Sequence, residues 1–461
     1  MDWIEELEKL IGSNKLSIKK EVLESFSSDH TEDLRYLPEL VVFAESTDDV
    51  STVLAFCDKR KIAVTPRGAG TGLSGASLPI EGGISLSLER MNQILEIDEQ
   101  NFQATVEPGV INEAFQQAVK EKGLFYPPDP ASKGSCFLGG NIAHSSGGPK
   151  ALKYGTTKDY VLNLEVVLPN GEVLWTGSNT LKNSTGYNLT QLMIGSEGTL
   201  AVVTKIVFKL IALPKLDMLM LASFQDATLA TKAVADVFKQ GLQPSALELM
   251  ERSAVDLVCK HFDHLQMKTD PAIDAYLLIE VDGDEVDSLY KSCEGINEVL
   301  EQHGVKEVLL AESSDQKEQL WSVRRNISEA VKLHSVYKEE DTVVKRALLP
   351  ELLKGVKDIG VEHGFTSICY GHAGDGNLHV NIIKGEMSDQ DWNGSHLEEG
   401  IRKIFRLCKK LGGTISGEHG IGLVQKKYLN EVMPLSQIAL MKSIKQVFDP
   451  NGILNPGKIF D

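Results

Sequence analysis

A glycine-rich segment directly after an apolar strand constrains the fold of this chain more than any other feature. A strand is predicted over residues 61–65, and residues 66–75 then read PRGAGTGLSG. The segment has the spacing G-x-G-x-x-G, but a Rossmann dinucleotide-binding loop requires a helix immediately afterwards. Here Pro79 and a second strand, residues 84–88, follow instead. The Rossmann fold is therefore excluded.

Successive backbone N–H groups of such a loop can instead form a concave site for an anion such as phosphate. Glycine allows the required positive φ angles and lets a ligand approach the backbone closely. A flexible surface turn is the alternative interpretation. Four glycines among residues 68–75, directly after a strand with a buried pattern, favour the anion site.

Local patterns predict several elements of the N-terminal half. Residues 3–11 form an acidic amphipathic helix, and apolar residues at 50, 53, 54 and 57 form another, capped by Ser46 or Thr47. Alternation of Ile84, Leu86 and Leu88 predicts a half-buried strand. Residues 161–168 and 172–175 flank Pro-Asn-Gly, which predicts a hairpin.

The pattern changes after residue 213. Residues 218–224, a helix to 240, and residues 246–250 give the order strand–helix–strand, and residues 275–310 repeat it. Two such units predict a ferredoxin-like antiparallel sheet with helices on one face, which forms a second domain.

Length, charge and cysteine spacing exclude several classes of protein. A chain of 461 residues exceeds what one core serves, so at least two domains are expected. The net charge of -18 argues against electrostatic binding to nucleic acid or an anionic membrane. No apolar run is long enough to span a bilayer, the N-terminus lacks signal-peptide features, and the six cysteines form no C-x-x-C pair. The cytoplasm is the expected compartment, and peripheral membrane association remains compatible with the sequence.

Two glycine-flanked segments near the C-terminus carry residues suited to bind a metal ion. The first, YGHAGDGNLHVN, contains His372 and His379, and the second, SGEHGIG, contains Glu418 and His419. The glycine break in the first segment allows both rings to converge across a turn, whereas one continuous strand would point them to opposite sides. Adjacent side chains diverge in extended backbone, so Glu418 and His419 are expected to have different roles.

Two imidazoles and one carboxylate form a common open site for a divalent ion. A lone histidine is more often an ordinary core or surface residue. The grouping of three histidines and a glutamate in glycine-rich loops favours the metal site.

Arg324 lies in the segment WSVRRNIS and has two interpretations. Most arginines lie on a solvated helix face. The functional alternative is a guanidinium that binds a substrate carboxylate through two parallel hydrogen bonds, which lysine cannot reproduce.

Nearly the whole chain resembles the FAD-binding family typified by vanillyl-alcohol oxidase and p-cresol methylhydroxylase. Within that family it is most similar to the D-lactate, glycolate and D-2-hydroxyglutarate dehydrogenases. The motifs that carry the resemblance are residues 66–75, 127–130, 139–143, 147–148, 153–156, 194–200 and 455–458.

The resemblance implies an α+β fold of two main domains. A FAD-binding domain of the vanillyl-alcohol oxidase type, with two interleaved subdomains, spans residues 1–212. The ferredoxin-like substrate domain with the metal site spans 213–424, and a C-terminal segment, 425–461, docks back on the first domain.

The resemblance also assigns roles to individual residues. His372, His379 and Glu418 match metal ligands for zinc or manganese, and His419 matches the catalytic base. Arg324 matches the substrate-binding arginine, and Ser328, Lys338 and Asn381 are further substrate residues. The residues assigned to FAD are Arg67, Gly68, Ala69, Gly70, Thr71, Gly72, Ser135, Gly139, Gly140, Asn141, Ala143, Glu197, Gly198 and Asn455. Because no histidine lies between positions 31 and 143, we expect noncovalent FAD.

These assignments predict oxidation of a small D-2-hydroxy acid to the 2-oxo acid, with the hydride passing to flavin N5. D-lactate or glycolate is favoured, and D-2-hydroxyglutarate is the alternative. The electron acceptor is a quinone, an electron-transfer flavoprotein or oxygen, and the oligomeric state is open, a homodimer included. A metal-dependent hydrolase and a non-catalytic flavoprotein are the rival classes.

Overall fold

The computed structural model describes residues 2–31 and 34–460, which form two compact units. Unit 1 comprises residues 1–147, 155–213 and 418–461, and unit 2 comprises 148–154 and 214–417. These units divide the chain differently from the predicted domains. Residues 148–154 join unit 2, and the chain returns to unit 1 at residue 418.

Unit 1 contains eleven strands in its described residues. They are β1 Leu16–Ser17, β2 Leu40–Phe43, β3 Val64–Arg67, β4 Ile84–Ser87, β5 Ile94–Asp98, β6 Gln103–Val106, β7 Leu124–Phe125, β8 Val161–Val167, β9 Val173–Trp175, β10 Val202–Lys209 and β11 Ile211–Ala212. Its α-helices are α1 Asp2–Ile11, α2 Lys20–Ser25, α3 Thr47–Arg60, α4 Asn112–Lys120, α5 Leu138–His144, α7 Leu189–Met193, α16 Leu429–Val432 and α17 Leu435–Phe448. Single 3-10 turns occupy Ser13–Lys15, Thr157–Asp159 and Lys426–Tyr428.

The first sheet of unit 1 has the order β1-β2-β4-β3, with β2, β4 and β3 parallel. Helix α3 packs into its core, and the Ser46 side chain caps the helix by accepting the Asp49 N–H. The predicted strand at 84–88 is present as β4, but the prediction that it is half-buried was wrong, because all four residues of β4 are buried. A central strand of a parallel sheet is covered on both faces, so alternation does not report its burial.

The second sheet of unit 1 is antiparallel, with the order β5-β6-β10-β8-β9. Its β8–β9 hairpin confirms the turn predicted at Pro-Asn-Gly. The C-terminal segment returns to the first sheet, where the Asn455 N–H donates to the Val64 carbonyl at 2.7 Å. The C-terminal residues thus pack beside the strand that precedes the glycine-rich loop.

Unit 2 contains seven strands in its described residues. They are β12 Leu216–Phe224, β13 Ala246–Glu251, β14 Ala275–Gly283, β15 Glu307–Leu310, β16 Tyr337–Val343, β17 Thr366–Gly371 and β18 Asn377–Ile383. Its α-helices are α6 Ala151–Tyr154, α8 Ala227–Lys239, α9 Arg252–His261, α10 Val286–Gln302, α11 Ser314–Arg325, α12 Ile327–His334, α13 Leu349–His363, α14 Asp389–Trp392 and α15 Ser395–Lys410. A 3-10 turn occupies Arg346–Leu348.

These strands form one antiparallel sheet with the order β15-β12-β14-β13-β17-β18-β16. The predicted strand–helix–strand units are present as β12-α8-β13 and β14-α10-β15. The prediction of helices on one face was wrong, because α9, α11 and α12 pack on the face that carries Met250, Leu278 and Tyr370. Among the described residues, no helix combines the length and apolarity needed to cross a membrane.

Candidate functional site

The glycine-rich loop of unit 1 begins at Arg67, the last residue of β3, and meets the start of helix α5. A Cβ added to Gly68 would lie 3.7 Å from the backbone N of Gly140, so the two glycine segments are in close approach. Gly70 has a φ of +73°, which disfavours other residues there. The structure thus brings the predicted FAD residues 68–72 together with Gly140.

Helix α5 is packed tightly on one side and open on the other. A Cβ on Gly139 would lie 2.6 Å from the Pro108 Cβ, whereas at Gly140 no described atom lies within 4 Å of that position. The Asn141 side chain is held by Asn112, to whose Oδ1 it donates at 3.2 Å. The open space beside Gly140, facing a loop rich in backbone N–H groups, fits a phosphate-bearing cofactor.

Glu197 and Asn455 are buried in unit 1 and contact each other. The Ala143 carbonyl accepts the Glu197 N–H at 2.9 Å, and the Asn455 amide donates to the Glu197 carbonyl at 2.7 Å. Gly198 approaches Pro66, where an added Cβ would lie 3.4 Å from the ring. The motif residues at 143, 197, 198 and 455 are therefore in one place beside the loop.

The Glu197 carboxylate binds the loop that carries His419. It accepts the backbone N–H groups of Ile421 at 2.8 Å and Gly422 at 2.7 Å. Burial raises the pKa of this carboxyl, and His144 and the two N–H groups oppose that effect. The Glu197 carboxylate thus holds the loop that carries His419. The assignment of Glu197 to the cofactor stays a prediction.

Arg67 and Ser135 make local contacts. The buried Arg67 guanidinium donates to the Ser28 carbonyl at 2.8 Å and lies over the Phe26 ring. Ser135 is exposed, and its hydroxyl donates to the Ser132 carbonyl at 3.2 Å. The Arg67 guanidinium also lies against the glycine-rich loop, because a Cβ added at Gly70 would clash with it.

Two histidines that flank the stretch 31–143 come near the glycine-rich loop. The His30 N–H donates to the Gly70 carbonyl at 3.2 Å, and the His144 ring lies 3.9 Å from a Cβ added at Gly72. Noncovalent FAD was predicted because no histidine is close to the glycine-rich loop in the sequence, yet the fold brings two histidines close to it in space. Noncovalent binding stays a prediction.

In unit 2, the hairpin β17–β18 brings His372 and His379 together. Their ring centroids are 5.5 Å apart. One ring nitrogen of His372 lies within 4.8 Å of one ring nitrogen of His379. The turn between them requires glycine at 376, where φ is +84° and an added Cβ would clash with the Val344 carbonyl. This separation allows both imidazoles to bind one ion.

Glu248 on β13 joins His372 to Arg324. Its carboxylate lies 2.9 Å from His372 Nδ1 and 2.7 Å from Arg324 Nη2, and its side chain is only 1% exposed. Burial alone would raise the pKa of Glu248, but His372 and Arg324 lower it below its ordinary value. Sequence reasoning missed this residue, although a glutamate inside the apolar strand ALELME was a usable signal.

Carboxylates also surround His379. Its Nδ1 lies 3.5 Å from Glu339 and 3.7 Å from Asp341, both on β16. Asp341 also accepts the Asn377 amide at 2.7 Å and the Gly417 N–H at 2.7 Å. Asp341 therefore orders the hairpin and fixes the backbone immediately before Glu418.

Asn381 and Arg324 carry unused hydrogen-bonding capacity. Asn381 is fully buried, and neither polar atom of its amide has a hydrogen-bond partner within residues 2–31 and 34–460. Arg324 Nε also has no hydrogen-bond partner among these described residues. The Arg324 guanidinium lies 5.0 Å from the Tyr370 ring centroid. Leaving such groups unsatisfied is costly, which indicates a ligand. Ser328 hydrogen-bonds Tyr370 from the adjacent helix.

Lys338 lies apart from the group formed by Arg324 and Asn381. It alternates with Glu339 along β16, so it points to the opposite face of the sheet from Glu339. Its ammonium donates to the Trp392 carbonyl at 2.8 Å and lies over the Trp392 ring. The structure therefore does not bring Lys338 together with Arg324.

Glu418 and His419 are the first two residues of the returning unit 1 segment, and both are half-buried. The residues that follow are fixed within unit 1, since the Leu423 N–H donates to the Ser74 carbonyl at 2.8 Å. The loop that begins with His419 thus packs against the end of the glycine-rich loop.

Two families match the chain in sequence. The family described as "FAD linked oxidases, C-terminal domain" matches residues 213–459, and the "FAD binding domain" family matches residues 38–177. The glycolate oxidase subunit GlcD of Bacillus subtilis is 38% identical, with 94% of this chain and 92% of the relative covered. The D-lactate dehydrogenase of Anaerostipes hadrus is 37% identical (98% and 96% covered), and the D-2-hydroxyglutarate dehydrogenase of Stutzerimonas stutzeri is 34% identical (99% and 98% covered).

Solved structures agree on the fold. The structure of p-cresol methylhydroxylase with bound substrate is 16% identical and gives a TM-score of 0.81, with 100% of this chain and 96% of that chain covered. At that identity the comparison supports the predicted α+β architecture and nothing finer.

Proposed function

Since the chain belongs to the FAD-linked oxidases of the vanillyl-alcohol oxidase and p-cresol methylhydroxylase family, we propose that it oxidises a small D-2-hydroxy acid at a divalent metal ion. D-lactate or glycolate is the preferred substrate. The observation that carries the proposal is the buried group of Arg324, His372, His379 and Asn381 in unit 2. This group contains a cation that could bind a carboxylate and two imidazoles that could bind a metal ion.

FAD would be held by the glycine-rich loop, helix α5 and the backbone at 197–198. The open space at Gly140 and the positive φ at Gly70 fit this cofactor. FAD, when bound, supplies the acceptor for the hydride removed from C2 of the substrate, which carries both electrons of the oxidation. We propose that it is bound noncovalently, so acid precipitation should release all of the yellow colour, in spite of the nearby His144 ring.

The metal ion, zinc or manganese, would be held by His372 and His379, with Glu418 as the third ligand. Gly417, anchored on Asp341, holds the chain next to that ligand. A bound divalent ion lowers the pKa of a coordinated hydroxyl, as it does for water. The carboxylate that lies 2.9 Å from Nδ1 of His372 is typical of metal-binding histidines, whose other nitrogen binds the ion.

The remaining steps use side chains of this chain. Arg324 binds the substrate carboxylate through its guanidinium, and Asn381 offers an amide donor and acceptor to the polar groups at C2. His419, whose loop is held by Glu197, accepts the proton of the hydroxyl as general base. Fixing both reactants in this way contributes to the rate through proximity and orientation.

A monoacid fits this group of residues better than a diacid. A second buried carboxylate needs a second cation, because an unpaired buried charge costs several kcal/mol, about 3–5. Lys338 lies on the opposite sheet face, and Glu339 pairs with Asn381 across the strands on the site face. An acidic neighbour repels a second substrate carboxylate.

Steady-state kinetics test this choice. We expect kcat/KM for D-lactate or glycolate to exceed that for D-2-hydroxyglutarate, and Lys338→Met to leave the ratio unchanged. A clear preference for the diacid that Lys338→Met abolishes would instead identify a D-2-hydroxyglutarate dehydrogenase.

A further inference from the structure

Glu248 is the most deeply buried charged group in the candidate site of unit 2. It lies in the middle of β13, and the residue is 0% exposed. A lone carboxylate in such a place is strongly unfavourable, so its charge requires compensation. The Arg324 guanidinium supplies the opposite charge, and the His372 ring supplies a hydrogen bond.

The contact with His372 selects one tautomer of that ring. Both carboxylate oxygens lie 2.9 Å from Nδ1. Nδ1 therefore carries the proton, and this N–H donates a hydrogen bond to Glu248. Nε2 is then the unprotonated nitrogen, which is the one able to bind a metal ion. A carboxylate in this position also makes the imidazole a stronger ligand.

The contact with Arg324 uses only one edge of the guanidinium. Nη2 lies 2.7 Å from Glu248, while Nε has no hydrogen-bond partner among the described residues. The ion pair restrains the guanidinium on its Nη2 side. Nε and Nη2, neither of which makes a hydrogen bond within the described residues, keep donors for a ligand carboxylate.

We infer that Glu248 is a positioning residue that sets both the metal-binding tautomer of His372 and the orientation of Arg324. One side chain therefore determines the distance between the ion and the cation that binds the substrate carboxylate. This inference rests on the proposed function and extends it, because none of the assigned ligands or substrate residues connects the two groups.

The test compares Glu248→Gln with Glu251→Gln. Glu251 is a matched control on the same strand: it is also buried, its carboxylate binds Lys357 at 2.8 Å, and it accepts the Cys369 N–H at 2.8 Å. In Glu248→Gln the amide oxygen can accept from one partner only, and the NH₂ group faces the other donor. Zn²⁺ affinity of the metal-free protein is measured by competition with a chelating dye, and KM for D-lactate is measured at saturating Zn²⁺.

We expect Glu248→Gln to weaken Zn²⁺ binding by about 10–100-fold. KM should still rise by roughly tenfold at saturating Zn²⁺, because a charge-assisted contact to Arg324 is lost. Glu248→Asp, which keeps the charge, should recover part of both losses. Glu251→Gln should lower thermal stability but change neither Zn²⁺ affinity nor KM by more than about twofold, as expected for a site outside the network.

Two outcomes overturn the inference in distinguishable ways. If Glu248→Gln matches Glu251→Gln in Zn²⁺ affinity and KM while the wild type binds Zn²⁺ and oxidises D-lactate, only the role of Glu248 fails. If the wild type binds no divalent ion, the proposed metal site fails and the inference fails with it. Should Glu248→Gln not fold, the same two measurements on Glu248→Asp decide between these outcomes.

Discussion

Replacement of His372 by alanine is expected to abolish divalent metal binding and turnover while FAD stays bound. The ring supplies one of the two imidazoles that lie within 4.8 Å of each other, and its Nδ1 is already held by Glu248. FAD should remain because its proposed residues lie in unit 1, whereas His372 lies in unit 2. Elemental analysis gives the metal content, and the visible flavin spectrum gives the FAD content.

His363→Ala is the matched control for this variant. His363 is also a buried histidine of unit 2, but it lies on α13 and its ring bonds the His396 carbonyl at 2.8 Å. We expect it to lose some stability and to keep both metal and turnover. Full metal content and normal activity in His372→Ala would show that the metal site is misplaced.

Replacement of His419 by alanine is expected to keep metal and FAD but to slow flavin reduction by about 10²–10⁴-fold, the usual contribution of a general base. The loop should survive the change, because Glu197 holds it through the backbone of residues 421 and 422 rather than through the imidazole. Rapid mixing of the oxidised protein with D-lactate under anaerobic conditions measures the reduction rate directly. An unchanged rate would remove His419 from the mechanism.

Glu197→Gln provides the comparison for that loop. It removes the charge that accepts the two N–H groups but leaves His419 in the chain. We expect a smaller loss of reduction rate than in His419→Ala, because the amide oxygen can still accept one of the N–H groups.

Local signals in the sequence predicted local structure well. The Ser46 cap, the hairpin at Pro-Asn-Gly and the strand–helix–strand units of the second domain depend on residues within one or two elements. The glycine breaks were also informative, since the turn at Gly376 is what allows His372 and His379 to approach each other.

Features that depend on strand register and tertiary packing could not be predicted from local sequence signals. The sequence does not show which residues of β16 face the site, so Lys338 was assigned to the substrate although it points to the other face of the sheet. Glu248 is 124 residues from His372 along the chain, and only the pairing of β13 with β17 brings them together. The helices on the second sheet face were missed for a related reason, because a sheet buried on both sides shows no polar face.

Anaerobic reduction of the bound flavin by D-lactate, before and after removal of metal with a chelator, tests the central claim most directly. The account predicts that D-lactate bleaches the flavin of the metal-loaded protein, that L-lactate does not, and that the chelated protein bleaches only after Zn²⁺ or Mn²⁺ is added back. A flavin that no D-2-hydroxy acid reduces, or one that D-lactate reduces equally fast without metal, would contradict it.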